Sequence, residues 1–189
     1  MNPDSFLTAL ARAVAEVRAT AHAEFAPLPP ALLNQRPAPA SWSILECLEH
    51  LNRYSRYYHA ALTKALAAPR ATTAGPLAEV GYSWLGRKSV ELMRPANAKK
   101  QTTLKHMNPL GSRLGPAVLA EFDQHQARLL ELLAAAHRAD LNRKAVPVEF
   151  FRLLKLRLGE ALEFVVVHQQ RHVQQAQRVR AGLRAELAC

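Results

Sequence analysis

Long amphipathic segments, separated by stretches rich in proline and glycine, constrain the fold of this chain more than any other feature. Four segments repeat apolar residues at the three- and four-residue spacing of one helix face. They cover residues 3–24, Ser43–Ala67, Pro116 to about Asp140, and Gly159–Ala185. Only seven glycines occur in 189 residues, while Ala, Leu, Arg, Glu and Gln, which favour helix, are abundant. The sequence therefore predicts an all-α protein.

The breaks between these segments predict how the helices connect. Residues 27–41, "PLPPALLNQRPAPAS", carry five prolines and exclude a continuous helix. Residues 68–115 are interrupted repeatedly by proline and glycine, although "SWLGRKSVELM" within them could form a short helix. Pro147–Leu158 is expected to form a short turn or helix. We therefore predict one domain, residues 1–189, built as a four-helix bundle with a long crossover between its second and third helices.

Charge and cysteine content limit the classes of function and compartment. The formal net charge is +10, which could attract nucleic acid, but the arginines are scattered without a run of five, so nucleic-acid binding is not expected. Cys47 and Cys189 are too few for a disulfide framework and fit a reducing compartment. We find no signal-like N-terminus and no window of about 18 uncharged apolar residues. A soluble, cytoplasmic protein without a membrane span is expected.

Two histidines in "FVVVHQQRHVQQAQRV", residues 164–179, are candidate metal ligands. His168 and His172 are four residues apart, so on a helix both imidazoles project from one face, one turn apart. Both could bind one ion, although such a pair is also common as a structural or solvent-facing feature. The possible third ligands are buried carboxylates and the histidines His22, His50, His59, His106, His125 and His137. His50 is the best placed, because it lies beside the apolar stripe of the second predicted helix.

Two motifs resemble those of the DinB/YfiT-like superfamily. "RPAPASWSILECLEHLNRY" at residues 36–54 is similar to the family's Trp-Ser-x-x-(Glu)-x-x-x-His-Leu motif, which opens the second helix. "LGEALEFVVVHQQRHVQQAQRV" at residues 158–179 carries the His-x-x-x-His of the last helix. The resemblance spans about residues 5–183. It implies an up-down-down-up bundle in which His50, His168 and His172 bind a divalent metal, usually zinc or nickel.

Such a ligand set implies a class of chemistry. Three protein ligands leave at least one coordination position open, as in catalytic rather than structural metal sites. We therefore expect a metal-dependent hydrolase or low-molecular-weight-thiol transferase, and bundles of this kind often form homodimers. The alternatives are a basic nucleic-acid-binding protein and a non-catalytic scaffold stabilised by metal. Motifs typical of serine hydrolases, P-loop proteins, dinucleotide-binding proteins and zincin proteases are absent from the sequence.

Residues next to the two motifs have alternative interpretations. Cys47 is either a fourth ligand or, as we expect, a small buried thiol. Glu46 is spaced from Ser43 as in a capping box, although it could also lie near the metal. Trp42 is expected to be a packing anchor rather than a substrate platform. Tyr54 could donate a hydrogen bond in the site or simply pack in the core.

Polar residues of the last predicted helix have two expected roles. Gln169 and Gln175 could orient the metal ligands, because a metal-bound imidazole needs a partner for its other N–H. The arginines of this helix are expected to form a solvated face. They are Arg171, Arg178, Arg180 and Arg184.

Overall fold

The computed structural model describes residues 1–67, 79–97, 99, 101–149 and 151–187, and most of them are helical. The predicted N-terminal helix is α1, which continues as a π-helical segment over Ala21–Phe25. A short helix lies within the proline-rich segment, and the predicted "SWLGRKSVELM" helix is present. The helices are α1 Pro3–Thr20, α2 Pro30–Asn34, α3 Ile44–Ala67, α4 Trp84–Met93, α5 Ala117–Ala136 and α6 Leu158–Leu187. Residues 68–78, 98 and 100 of the predicted crossover lie outside the described residues.

The four long helices form the predicted up-down-down-up bundle. α3 and α5 are parallel, since contacts pair their residues in the same order along both helices. α3 and α6 are antiparallel, and so are α1 and α5, since their contacts pair residues in opposite order. The contacts between α3 and α5 are Asn52–Val118 and Thr63–Arg128. Those between α3 and α6 are Tyr54–His168 and Tyr58–Phe164. Those between the α1 and α5 segments are Asp4–His137 and Arg18–Asp123. The all-α prediction is confirmed.

Side-chain caps mark the starts of the two long helices before the crossover, α1 and α3. Asn2 Oδ1 accepts from the backbone N–H of Asp4 at 2.9 Å, immediately before α1. At α3, Ser43 Oγ accepts from the Glu46 N–H at 3.2 Å, and Glu46 Oε2 accepts from the Ser43 N–H at 2.8 Å. This reciprocal pair is the predicted capping box, and it satisfies two backbone N–H groups at the start of α3.

The apolar core consists of two clusters along the bundle. The first contains Phe6, Leu7, Leu10 and Val14 of α1, Tyr58 and Leu62 of α3, Leu129, Leu132 and Leu133 of α5, and Leu162, Val165 and Val166 of α6. The second contains Val17 and Phe25, Leu45, Leu48 and Leu51 of α3, Val118 and Phe122 of α5, and Val173, Ala176 and Val179 of α6. Each fully buried aliphatic or aromatic side chain contributes about 1.5–3 kcal/mol. Because both clusters contain residues of α1, α3, α5 and α6, both stabilise the packing of these four helices.

The segment before α6 is a β-hairpin, so the prediction of a turn or helix over Pro147–Leu158 is wrong. Strand β1, Lys144–Val148, pairs antiparallel with β2, Phe151–Arg157. Val146 and Val148 alternate inward, as β-branched residues do on a half-buried strand, and Pro147 disfavours helix. Periodicity alone does not separate a strand from a helix over so short an apolar run.

Helix α4 packs closely against the first turn of α6. The buried Glu160 carboxylate accepts from the backbone N–H groups of Ser83 and Arg157. A Cβ atom at Gly86 would overlap this carboxyl group, so only glycine allows the approach. In the described parts of the chain, no helix has the length and apolar character needed to cross a membrane.

Candidate metal centre

The antiparallel packing of α3 on α6 brings three histidines together. His50 comes from the second turn of α3, and His168 and His172 come from one face of α6. Each offers a ring nitrogen, and these three atoms lie within 4.8 Å of one another. Ring centroids are 4.5 Å apart for His50 and His172, and 4.7 Å apart for His168 and His172. The structure therefore joins the two sequence motifs in one cluster that could hold a metal ion.

Oxygen acceptors orient two of these rings. His50 Nδ1 donates to the Met107 carbonyl at 2.9 Å, and His172 Nδ1 lies 2.9 Å from Gln175 Oε1. Because a carbonyl oxygen can only accept, the proton is on Nδ1 and the lone pair is on Nε2. His50 Nε2 lies 3.2 Å from His168 Nε2. The Nε2 lone pairs of His50 and His172 could thus bind an ion near His168, with the ion replacing the His50–His168 hydrogen bond.

Burial keeps all three imidazoles neutral. His50 and His168 are buried and His172 is partly buried. Burial lowers the pKa of His50 to about 4. Burial also lowers the pKa values of His168 and His172 well below the ordinary value, with the neighbouring imidazoles adding to the effect. Neutral imidazole is the form that binds a metal ion.

The aromatic rings of Trp42 and Tyr54 pack against the three-histidine cluster. The Trp42 ring centroid lies 4.7 Å from that of His50 and 5.6 Å from that of His172. The Tyr54 centroid lies 4.6 Å from that of His168 and 4.9 Å from that of His50. Burial raises the pKa of Tyr54 to about 12, so its phenol keeps its proton at neutral pH. Both aromatic residues of the first motif therefore contact the candidate ligands.

The Glu46 carboxylate holds the segments around the site and does not join the ligand cluster. It pairs with both Arg36 Nε, at 2.9 Å, and Arg36 Nη2, at 2.7 Å. It also accepts from the Gly111 N–H at 2.7 Å, in addition to its cap on Ser43. Gly111 has φ +85°, a left-handed conformation that favours glycine. The capping interpretation of Glu46 is supported, and the same carboxylate binds the crossover to α3.

Arg53 adds a second attachment of the crossover to α3. Its Nη1 donates to the carbonyls of His106 and Asn108, both at 3.1 Å. Asn108 Oδ1 accepts from Trp42 Nε1 at 3.1 Å. These bonds bracket Met107, so the carbonyl that orients His50 is fixed from both sides.

Other candidate ligands lie elsewhere. Among the described residues, the group that could hold a metal contains the three histidines and not Cys47, which packs in the second apolar cluster. Burial raises the pKa of the Cys47 thiol, as expected for an inert buried cysteine. The remaining histidines with carboxylate partners are His22 with Asp123, His106 with Glu149, His125 with Glu121 and His137 with Asp4.

The polar residues of α6 only partly follow the sequence prediction. Gln175 contacts a candidate ligand, whereas Gln169 is buried with no hydrogen-bond partner for its amide in the described part of the chain. Arg171 is not simply solvated, since Nη1 donates to the Asn97 carbonyl at 2.7 Å and Nη2 to the Lys99 carbonyl at 2.9 Å. Arg180 pairs with Glu24 at 2.6 Å. The Arg184 side chain lies outside the described residues.

The crossover residues that complete the site were missed from sequence. "NPLG" at residues 108–111 has the composition of a turn, which was a usable signal for local structure. A turn signal does not identify the helix that the turn contacts. Met107 acts through its backbone carbonyl, so its residue type carries no signal for this role.

The family comparison matches most of the chain. A family model described as the DinB superfamily matches residues 13–176, a range that includes Trp42, His50, His168 and His172. Searches of curated proteins and of solved structures returned no match.

Proposed function

This chain belongs to the DinB superfamily, and we propose that it binds one divalent metal ion through His50, His168 and His172. The convergence of three neutral imidazoles from two distant segments carries this proposal. His50 Nε2 and His168 Nε2 are 3.2 Å apart. Two nitrogen ligands of one tetrahedral ion, each at about 2.0–2.1 Å, would be about 3.3 Å apart. The donor set and the spacing of this pair both fit such an ion.

We further propose that the protein is a metal-dependent hydrolase or low-molecular-weight-thiol transferase. When bound, the ion lowers the pKa of a water or thiol at its open position, which is the activation that both reactions need. Tyr54, whose ring contacts His168, would donate a hydrogen bond to a reacting group. Trp42, packed across His50 and His172, would limit the volume on the opposite side. The Met107 carbonyl and Gln175 would keep the Nε2 lone pairs directed at the ion.

Metal content tests the binding proposal directly. We expect the purified protein to contain about one equivalent of zinc or nickel by elemental analysis, and a His50→Ala, His168→Ala variant to contain almost none. His59→Ala is the matched control, because His59 is also a buried histidine of α3 but does not belong to the cluster. Full metal content in the double variant would contradict the proposal.

Activity assays separate an enzyme from a scaffold. An enzyme should act on members of an ester or thiol-acceptor panel, and the activity should disappear with chelator and fall in Tyr54→Phe. A scaffold should melt at lower temperature on chelation without acting on the panel. Chelator-insensitive, salt-dependent binding of DNA or RNA would instead favour the nucleic-acid alternative. Ion pairs occupy Arg18, Arg36, Arg56 and Arg180, which reduces the basic charge available for it.

Three narrower expectations remain predictions. The identity of the metal as zinc or nickel comes from the family resemblance. The homodimer is expected from bundles of this kind, and the cytoplasmic location from cysteine content. Elemental analysis, sedimentation and cell fractionation test them in turn.

A further inference from the structure

Buried polar side chains separate the two apolar clusters of the bundle. Asn52 and Gln126 have no exposed surface, and Ser55 and Gln169 are each 2% exposed. We call these four residues the polar layer. On every helix that contributes, the layer residues fall between the two clusters. They lie between Leu51 and Tyr58 on α3, between Phe122 and Leu129 on α5, and between Val166 and Val173 on α6.

The layer extends obliquely across the bundle. The ring contact between Tyr54 and His168 places Gln169 at the level of Asn52. The ring contact between His59 and His125, with centroids 5.1 Å apart, places Gln126 at the level of His59. Asn52 and His59 are seven residues apart on one face of α3, a rise of about 10 Å. The polar residues thus form a row from the turn that carries His168 to the α3–α5 interface.

Most of the amide and imidazole atoms of this row lack hydrogen-bond partners in the described part of the chain. Asn52 Nδ2 donates to the Val118 carbonyl at 3.0 Å, but Asn52 Oδ1 has no partner in the described part of the chain. The same holds for both amide atoms of Gln126, both amide atoms of Gln169 and both ring nitrogens of His59. Buried amides nearly always have a partner, so unpaired atoms along one row indicate a ligand that occupies the row.

The chemistry of the row identifies the ligand. Each amide presents a donor and an acceptor, and no carboxylate, lysine or arginine belongs to the polar layer. A cation would be repelled by the N–H groups of these amides, and an anion would be repelled by their carbonyl oxygens. Water both donates and accepts, and internal waters typically bind otherwise unpaired polar groups of this kind.

We propose that the polar layer and His59 bind a row of ordered internal water molecules between α3, α5 and α6. At about 2.8 Å spacing, a row of about 10 Å holds three or four waters. The row of waters begins beside Gln169, the residue after the candidate ligand His168 in the sequence, and ends beside His125. His125 Nε2 lies 3.2 Å from Glu121, which is partly exposed, so this end gives the waters a route to solvent. The proposal is independent of the metal.

Counting long-lived waters tests the proposal. Oxygen-17 magnetic relaxation dispersion on the full chain should detect three or four more internal waters than in a Gln126→Met, Gln169→Met variant, whose side chains are similar in length but apolar. Gln174→Met is the matched control, because Gln174 is exposed on the same helix. It should leave the count unchanged. His59→Phe should lower the count by one or two.

A high-resolution crystal structure of the unmodified protein gives a result that does not depend on the variants folding. We expect water density within about 2.7–3.2 Å of the Gln126 and Gln169 amides. A dry layer, with these amides bonded to each other or to protein atoms, would overturn the proposal. An unchanged water count in a folded double variant would overturn it as well.

Discussion

Helix α3 carries two buried histidines, His50 and His59, and the difference between their surroundings shows what makes a histidine a candidate ligand. Burial lowers the pKa of both, to about 4 for His50 and about 3 for His59. Neutrality therefore does not distinguish them. His50 has a carbonyl acceptor on Nδ1 and another imidazole 3.2 Å from Nε2, whereas both ring nitrogens of His59 lack hydrogen-bond partners in the described part of the chain. His50 therefore differs from His59 in two ways. An acceptor orients its ring, and two other imidazoles that could bind the same ion lie beside it.

The largest expected effect concerns metal affinity. His168→Ala removes one of three proposed ligands, so we expect the affinity for zinc to fall by more than about 100-fold, beyond the loss typical of an outer-sphere partner. His59→Ala should bind zinc as the unmodified protein does. Competition with a chromophoric chelator measures both. Equal losses in the two variants would remove the distinction between the two histidines.

An intermediate effect is expected from the acceptor of His172. Gln175→Leu removes the oxygen that holds Nδ1–H, so the ring is free to rotate, and zinc affinity should fall by about 10–100-fold. Gln175→Glu keeps an acceptor at this position and should retain most of the affinity. The exposed Gln174→Leu is the matched control. If Gln175→Leu and Gln174→Leu bind zinc equally well, orientation by Gln175 has no role.

The smallest expected effect concerns acid stability through His59. Burial is the main cause of its low pKa, and His125 and Arg128 lower it further. The unfolded chain binds a proton near pH 6.5 and the folded chain does not, so this contribution to stability is present above pH 6.5 and is lost as pH falls toward 3. The loss is up to about 1.4 kcal/mol per pH unit.

His59→Gln should therefore lose less stability than the unmodified protein between pH 6.5 and 5.5. Urea unfolding of both proteins, in the presence of chelator to keep the metal centre out of the comparison, measures the difference. Parallel pH profiles would show that folding does not lower the pKa of His59.

Local patterns in the sequence predicted the parts of the molecule that depend on neighbouring residues. The helix periodicity, the Ser43–Glu46 capping box and the shared face of His168 and His172 all arise within a few turns, and the structure has each of them. His50 was chosen for its place beside an apolar stripe, and the family resemblance supported that choice, because no local rule alone selects one distant histidine among several.

Contacts between distant segments escaped prediction for physical reasons. The carbonyl of Met107 lies 57 residues from His50, and a backbone acceptor can belong to any residue type. Gln126 is a good helix former that looks like a surface residue, and its complete burial depends on how three helices pack. The hairpin before α6 was missed because its strands are shorter than the windows in which helix and strand periods differ clearly.

The contact between His50 and His168 has a consequence for unfolding. The two residues are 118 positions apart, so an ion bound to both would close a loop over more than half of the chain. Like a disulfide of similar span, this cross-link would restrict the conformations open to the denatured ensemble. Unlike a disulfide, it would form and break with the free concentration of a metal, so that the resistance of the fold to heat or proteolysis would follow metal supply.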